Sequence, residues 1–529
     1  MKMVDVETGR VFAERRGVWA FWLGSVAVTI GVLLHLPMYL MGADMGYRMA
    51  GMQMDAGMWT GMGLIALGVG LAGYGLLPRR SEPAVAGLAV TAPEDAPLTP
   101  AHWRLMAVLV IALVIDVMKP ASLGFVVPGM IEEYGLTRAQ VAWLPFAALS
   151  GTVAGSLVWG ALADVFGRRA TILLSAVMFV GSSVCGAMPS LLGNIVMCFL
   201  MGAAAGGLLP VVYALLAEIM PARHRGWALV LVGGVGGVGG YLAASGFSAL
   251  LQPEFGWRIL WFLNLPTGLV LVAMSGLIPE SAKFLMSIGR TAAAQEVLRR
   301  FGSVVAERAS PPGPRAVASP AAPAGRDRGL TAGLSLAALA WSLINFGLLL
   351  WLPADLVAKG YSVHASSALL AKSALIALPT VGVAALVYSR WSTKGSLAGA
   401  IGLSILGVLS VLVMEAAPEG AVNPVLTLAL LLVGSNALLA ILLPYAAESY
   451  AVQVRGRATG WVAGCSKFGG LITQLLGILA AVPALWIAAL IITVPAALAM
   501  ALIGVFGVET RGRALPDEAP EAAPQRRAG

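Results

Sequence analysis

The stretch LVIDVMKPASLG carries Asp116 and Lys119 inside a run otherwise apolar enough to cross lipid. A charge at the centre of a spanning helix costs at least about 2.5 kcal/mol on insertion scales, and such residues mark ion or substrate paths. With a rise of about 1.5 Å per residue from an entry near Trp103, Asp116 falls close to the middle of a hydrocarbon layer about 30 Å thick. Three residues apart, Asp116 and Lys119 share a helix face and can pair, and Pro120 loosens the helix just beyond them. A carboxylate whose proton affinity depends on a nearby ammonium can exchange a proton when that ammonium engages something else, so Asp116 is the candidate for proton coupling.

A third charge, Lys467 in GWVAGCSKFGGLITQ, lies about nine residues into a later span, with no acid close in sequence. An unpaired lysine facing a cavity calls for an anion. Lys119 and Lys467 are therefore the charged substrate-binding candidates, with Tyr213, Asn345, Asn436 and Gln474 as neutral polar ones. Two plainer readings stand beside this. Asp116 and Lys119 could be a self-neutralising packing pair, or Lys467 could pair with Asp116 across the cavity. Each neutral residue could equally be an interhelical hydrogen bond.

These residues need a membrane scaffold, and the composition supplies one. Of 529 residues, 59% are hydrophobic and only 11% charged, against about 25% charged in a soluble domain. The net charge of +8 resides in short segments between apolar runs, where it orients a membrane protein, and it does not imply nucleic acid as a partner. Cys185, Cys198 and Cys465 lie singly in apolar runs and lack metal or disulfide spacing.

Spanning runs fall at roughly 17–41 and 57–77, then 103–128, 141–163, 170–188, 193–216, 227–250 and 258–278, and six more begin near 330, 368, 396, 423, 457 and 484. The expected fold is all-α with 14 spans. It comprises an N-terminal hairpin (1–80), a flexible linker (81–101), a six-helix bundle (102–280), a connector (281–329), a second six-helix bundle (330–510) and a disordered tail (511–529). Arginine and lysine collect in alternate loops (Arg168 and Arg169, Arg223 and Arg225, Arg390 and Lys394, Arg455 and Arg457), which predicts both termini on the cytoplasmic side.

The segments AEIMPARHRGWALVLVGGVGGVGG and AESYAVQVRGRATGWVAGCSKFGG align without a gap. They share Ala-Glu (Glu218; Glu448), Arg-Gly (Arg225; Arg455) and Gly-Gly at equal spacing, each at the fourth-to-fifth helix junction of its half. Parallel six-helix repeats are a transporter plan, with the substrate site near the midplane between the halves.

GALADVFGRRATILLS, with Gly160, Asp164, Gly167, Arg168 and Arg169, resembles the loop signature of the major facilitator superfamily between its second and third helices. PESAKFLMSIGRTAAAQEVLRRFG and VETRGRALPD are similar to segments after the sixth and twelfth helices in its sugar porter and metabolite:proton symporter branches, and the likeness covers roughly 100–515. The resemblance implies a twelve-helix core, alternating access and no cofactor. It makes Lys467 similar to an eleventh-helix site that is basic in many organic-anion members. An acid and two arginines at adjacent helix ends can lock those ends through charged hydrogen bonds, so Asp164, Arg168 and Arg169 are read as gating residues with Glu218, Arg225, Glu448 and Arg455. The second-half copy, VYSRWSTKGS, lacks the acid.

The expected function is proton-coupled symport of a small organic anion, a carboxylate or aromatic acid, by a monomer in a bacterial inner membrane, and not an enzyme. One alternative is a drug or metabolite exporter, since GGVGGVGGY resembles the glycine-rich exporter signature without its proline. Another is copper handling by the hairpin, where His35, Met38, Met41, Met45, Met49, Met52 and Met54 offer soft ligands, although methionine at that spacing also suits helix packing.

Overall fold

In the computed structural model, residues 15–77, 88–90, 97–302, 305–307, 324–418, 420–450 and 452–511 are described. Backbone groups in lipid must satisfy one another, and the apolar runs accordingly become helices. Among the described residues, thirteen helices are long and apolar enough to cross a membrane, and the 27-residue helix Val452–Ile478 stands beside them as a fourteenth that falls short of that apolarity. The first two are α1 (Arg16–Met41) and α2 (Ala56–Leu76). A first set of six follows: α3 (Pro100–Tyr134), α4 (Arg138–Phe166), α5 (Arg168–Ala187), α6 (Leu191–Ile219), α7 (Arg223–Phe255) and α8 (Ile259–Leu277). The second set is α9 (Asp327–Ala358), α10 (Val363–Arg390), α11 (Thr393–Ala416), α12 (Pro424–Ser449), the 27-residue α13 (Val452–Ile478), which carries Lys467, and α14 (Leu485–Phe506).

The helix ends follow local chemistry. Asn423 accepts from the backbone N–H of Val425 at 2.9 Å to start α12, with Pro424 in the first turn where no donor is needed. Asp55 accepts from Met58 N at 2.7 Å to start α2. Gly135, at φ +62°, closes α3 in the left-handed conformation that glycine adopts at little cost.

One short strand pair accompanies the helices. Leu88–Val90 and Val305–Glu307 pair antiparallel, with Ala89 opposite Ala306, so the segment ahead of the first six helices meets the segment between the two sets. Two short helices, Ala282–Ser287 and Thr291–Arg300, precede that strand. The rest of both connecting segments and most of the C-terminal tail lie outside the described residues.

The N-terminal hairpin is held by backbone contact. Glycines at every seventh position, Gly17, Gly24 and Gly31 on α1, meet Gly75, Gly68 and Gly61 on α2, and a Cβ on Gly24 would stand 2.5 Å from the Gly68 carbonyl oxygen. Small residues let helices approach this closely in membranes. Phe21, Val28, Val32, Ala72 and Leu76 then pack with Leu173 and Val177 of α5. Met38, Tyr39, Met49 and Met58 form a buried cluster with Val184, Met188 and Phe262, with Met52 and Met54 at its margin. Met41 and Met45 are 60% and 53% exposed. His35 is buried, its Nδ1 2.8 Å from the Gly31 carbonyl. The histidine and methionines are thus spread between packing and the exterior.

The two six-helix sets meet along α3 with α9, α4 with α13, and α7 with both α10 and α12. Asp116 lies on α3 and Lys467 on α13, one on each side of that interface.

Candidate substrate and gating site

Asp116 is 6% exposed, and its Oδ1 has no hydrogen-bond partner among the described residues. The expected pairing with Lys119 is replaced by another contact. Lys119 is fully buried, donates to the Phe179 carbonyl at 3.1 Å and Ser182 Oγ at 2.7 Å, and lies 3.7 Å from the Phe179 ring centre. Its long stem turns into α5, where the α-helix gives way to 3-10 geometry at Ser182. Lys467 instead has aromatic neighbours, with Trp341 and Phe346 ring centres each 5.8 Å from Nζ.

The neutral candidates divide. Asn436 donates to its own helix at Leu432 O, 2.9 Å, while its Oδ1 lies 3.0 Å from where a Cβ on Gly237 would stand, so it faces α7 across the interface. Asn345 is half-buried in a π-helical stretch, Leu343–Leu349, that interrupts α9. Such stretches recur at functional sites. Gln474 is fully buried and satisfied, accepting from Trp351 Nε1 at 3.2 Å and donating to the Phe346 carbonyl at 2.7 Å. Tyr213 packs its hydroxyl over Gly233, where a Cβ would stand 1.7 Å from it, joining α6 to α7 within one half.

Sequence reasoning missed Tyr241, Trp341 and Phe346. The Tyr241 hydroxyl is buried without a partner among the described residues. It lies on the α7 stripe that faces the second half, between Gly237, against Asn436, and Ser248, whose hydroxyl meets Ser367 at 2.7 Å. The first part of that stripe was present in GGVGGVGGY, where Gly234, against Val381, Gly237 and Tyr241 recur at spacings of three and four. Phe346 also walls a narrow apolar cavity with Pro120, Leu149, Thr152, Met201 and Leu350.

At the arginine-rich end, Arg168 donates to Glu218 at 3.2 Å and, more weakly, to Asp164 at 3.5 Å. Asp164 is 76% exposed, so its i,i+4 pair adds little. Glu280, from the PES motif, holds the turn itself: its Oε1 accepts from the backbone N–H groups of Arg168 (2.8 Å), Arg169 (3.3 Å) and Ser281 (2.9 Å). Gly167 sits at φ +93°, and a Cβ there would stand 2.5 Å from Glu280 Oε2. Gly160 faces open space. In the second half Glu509, from VETRG, accepts from Thr393 N at 2.9 Å and Thr393 Oγ1 at 2.7 Å and also takes the Ser392 hydroxyl, capping α11 as Glu280 caps α5. Glu509 is thus the second-half counterpart of Glu280, and the position of Asp164 keeps no acid in VYSRWSTKGS. Burial pushes the Glu280 carboxyl above its ordinary value; hydroxyl and N–H donors from Ser392, Thr393 and Arg511 overcome burial at Glu509 and hold it down to about 2.

The repeated glutamates also correspond. Glu448 accepts from Tyr388 OH and Thr510 Oγ1, both at 2.7 Å, and its Oε1 lies 2.8 Å from where a Cβ on Gly226 would stand, so it reaches α7 beside Arg225 of the other half. The side chain of Arg455 lies outside the described residues.

Two helix bundles meeting at a charged, aromatic-lined centre, in contact at the arginine-rich end, define a membrane carrier. The chain belongs to the Major Facilitator Superfamily, whose family model matches residues 105–440. It is therefore a multi-pass membrane transporter and not an enzyme. It is similar to the niacin transporter NiaP of Acinetobacter baylyi, at 26% identity over 395 residues, 72% of this chain and 88% of that protein. It is similar to the 4-hydroxybenzoate transporter PcaK of the same organism at 32% identity over 211 residues, 39% of this chain and 46% of that one. Among solved structures, the proton:xylose symporter XylE bound to 6-bromo-6-deoxy-D-glucose shares the fold, with a TM-score of 0.61 at 17% identity, covering 78% of this chain and 97% of that one.

Proposed function

We propose that this transporter carries a small aromatic carboxylate together with a proton. The observation that carries the reading is the seat of Lys467, whose ammonium faces the rings of Trp341 and Phe346, with Asp116 buried on α3 in the opposite half. An aromatic acid presents the complement, an anionic head and a flat apolar body. The names of the similar proteins support the same class, since niacin and 4-hydroxybenzoate are both aromatic acids.

In this mechanism the substrate carboxylate replaces Asp116 as the counter-charge of Lys467, and the displaced Asp116 binds the proton. Loaded and empty carriers both keep the site balanced, and the two halves rock about it between states only a few kcal/mol apart. Asn436, Asn345 and the Tyr241 hydroxyl are the remaining polar contacts available to the solute. We further propose that the arginine-rich end, with Arg168, Arg169, Glu218, Arg225 and Glu448 as its gate, faces the cytoplasm of a bacterium, with both termini on that side.

The test is uptake of labelled nicotinate and 4-hydroxybenzoate into proteoliposomes with and without an imposed proton gradient. Gradient-driven accumulation is expected. Equal uptake in the two conditions rejects the coupling, and no uptake of either acid rejects the substrate class.

A further inference from the structure

The end of the interface remote from the arginine cluster is bridged by an ion pair outside every motif. Arg138, opening α4 in the first half, donates to Asp355 of α9 in the second at 2.6 Å, and its guanidinium lies 4.5 Å from the Trp351 ring centre. The same indole donates to Gln474, which donates in turn to the carbonyl of Phe346 in the π-helical stretch, and the Phe346 ring faces Lys467. Beside this run, α3 and α9 touch by their backbones: a Cβ on Gly124 would stand 2.4 Å from the Leu350 carbonyl oxygen.

We propose that Arg138 and Asp355 form the latch of the outward mouth, and that Trp351 and Gln474 are positioning residues that tie its closure to the seat of Phe346 beside Lys467. The inference rests on the carrier reading above, with the arginine-rich end inside. Each partner of the pair is 43% exposed, so it is weak alone, and the face of Trp351 strengthens it. A weak latch is what a carrier requires, because a latch worth many kcal/mol would trap one state. Gln474 is buried with both ends bonded, which removes it from substrate contact and leaves it to register the carbonyl of the π-helical turn. That turn can relax to ordinary α geometry by shifting one hydrogen-bond register, which would reseat Phe346.

The experiment uses the full chain in right-side-out membrane vesicles, with Thr152→Cys as reporter, since Thr152 walls the cavity. A membrane-impermeant maleimide is added outside, and labelling is compared with the parent lacking the reporter. R138A and D355A are each expected to raise the labelling rate about fivefold, and the charge-swapped R138D/D355R should return it to within about twofold of the unswapped protein. Unchanged labelling in both single variants, or a double variant no closer to the parent than either single, overturns the latch. Trp351→Phe keeps the ring for Arg138 but deletes the indole donor; with Gln474→Met it should raise labelling while the ion pair persists, and unchanged labelling in both overturns the positioning role. Labelling requires no solute, so its outcome does not depend on whether any carboxylate is transported.

Discussion

At the scale of single residues, three charges share one membrane interior and do different work. Lys467 has two aromatic rings around it, whereas Lys119 donates to Phe179 O and Ser182 Oγ. Lys467→Ala is expected to abolish saturable uptake of the aromatic acid while the purified protein stays monodisperse. Lys119→Met, which keeps the stem in its apolar channel, should leave KM within about threefold and lower the unfolding midpoint, because Ser182 and the Phe179 carbonyl lose a charged donor. Equal loss of uptake in both variants would put Lys119 back in the substrate site. Asp116→Asn should stop gradient-driven accumulation yet permit exchange of labelled for unlabelled acid. The helical setting of Asp116 and Lys467 was legible, since each sits in an apolar run long enough to form a helix. The direction of Lys119 was not. Spacing of three puts two side chains on one broad face, but a lysine stem is long enough to leave that face, and its partners are 60 and 63 residues away in sequence.

At the scale of elements, spans and internal repeat were readable because apolar runs of about 20 residues and matched Arg-Gly spacings are local signals. The caps on α5 and α11 were not, because Glu280 and Glu509 lie 112 and 116 residues from the backbone donors Arg168 N and Thr393 N. The π-helical turn at Leu343–Leu349 has no sequence mark, while the seven-residue glycine spacing of the hairpin was in plain view beneath the more conspicuous methionines. The two caps should respond to pH with opposite sign. Glu509, held at about 2 against 4.5 when unfolded, stabilises above pH 4.5, and that contribution is lost as pH falls through about 2. Glu280, raised above 4.5 by burial, contributes most below pH 4.5 and loses that contribution as pH rises through its folded value. Unfolding midpoints of detergent-solubilised protein across pH check both. Glu509→Gln should be destabilised relative to the parent at neutral pH, with the gap closing below 4.5, whereas Glu280→Gln should gain on the parent as pH rises from 4.5. A gap in Glu509→Gln that widened on acidification would contradict the assignment.

At the scale of the whole molecule, the hairpin makes the two halves unequal. Its principal contacts are with the first half, through α5 and the α8 region, so eight helices, not six, pack on that side of the interface. The joint is electrostatic as well as apolar. Glu133, at the end of α3, pairs with Arg258 at 2.7 Å, with side-chain exposures of 3% and 0%. The same Oε1 accepts the backbone N–H groups of Met49 and Ala50 from the hairpin loop at 2.7 and 2.8 Å, and Trp257 donates to Oε2 at 2.8 Å. Arg258 also donates to the carbonyls of Gly186 and Met188, at 3.2 and 2.9 Å, so one buried pair gathers α3, α5, α8 and the loop. Removing one partner of a buried pair costs about 3–5 kcal/mol, because the other charge is left desolvated without compensation, whereas replacing both by apolar groups is often nearly neutral. Glu133→Ala is therefore expected to lower the unfolding midpoint sharply, and the double variant E133L/R258M should recover most of that loss even though it lacks more hydrogen bonds. If the double variant is as unstable as the single, the loop's two N–H donors and not the unpaired guanidinium dominate the joint, and the hairpin is held chiefly by the carboxylate it shares with α3.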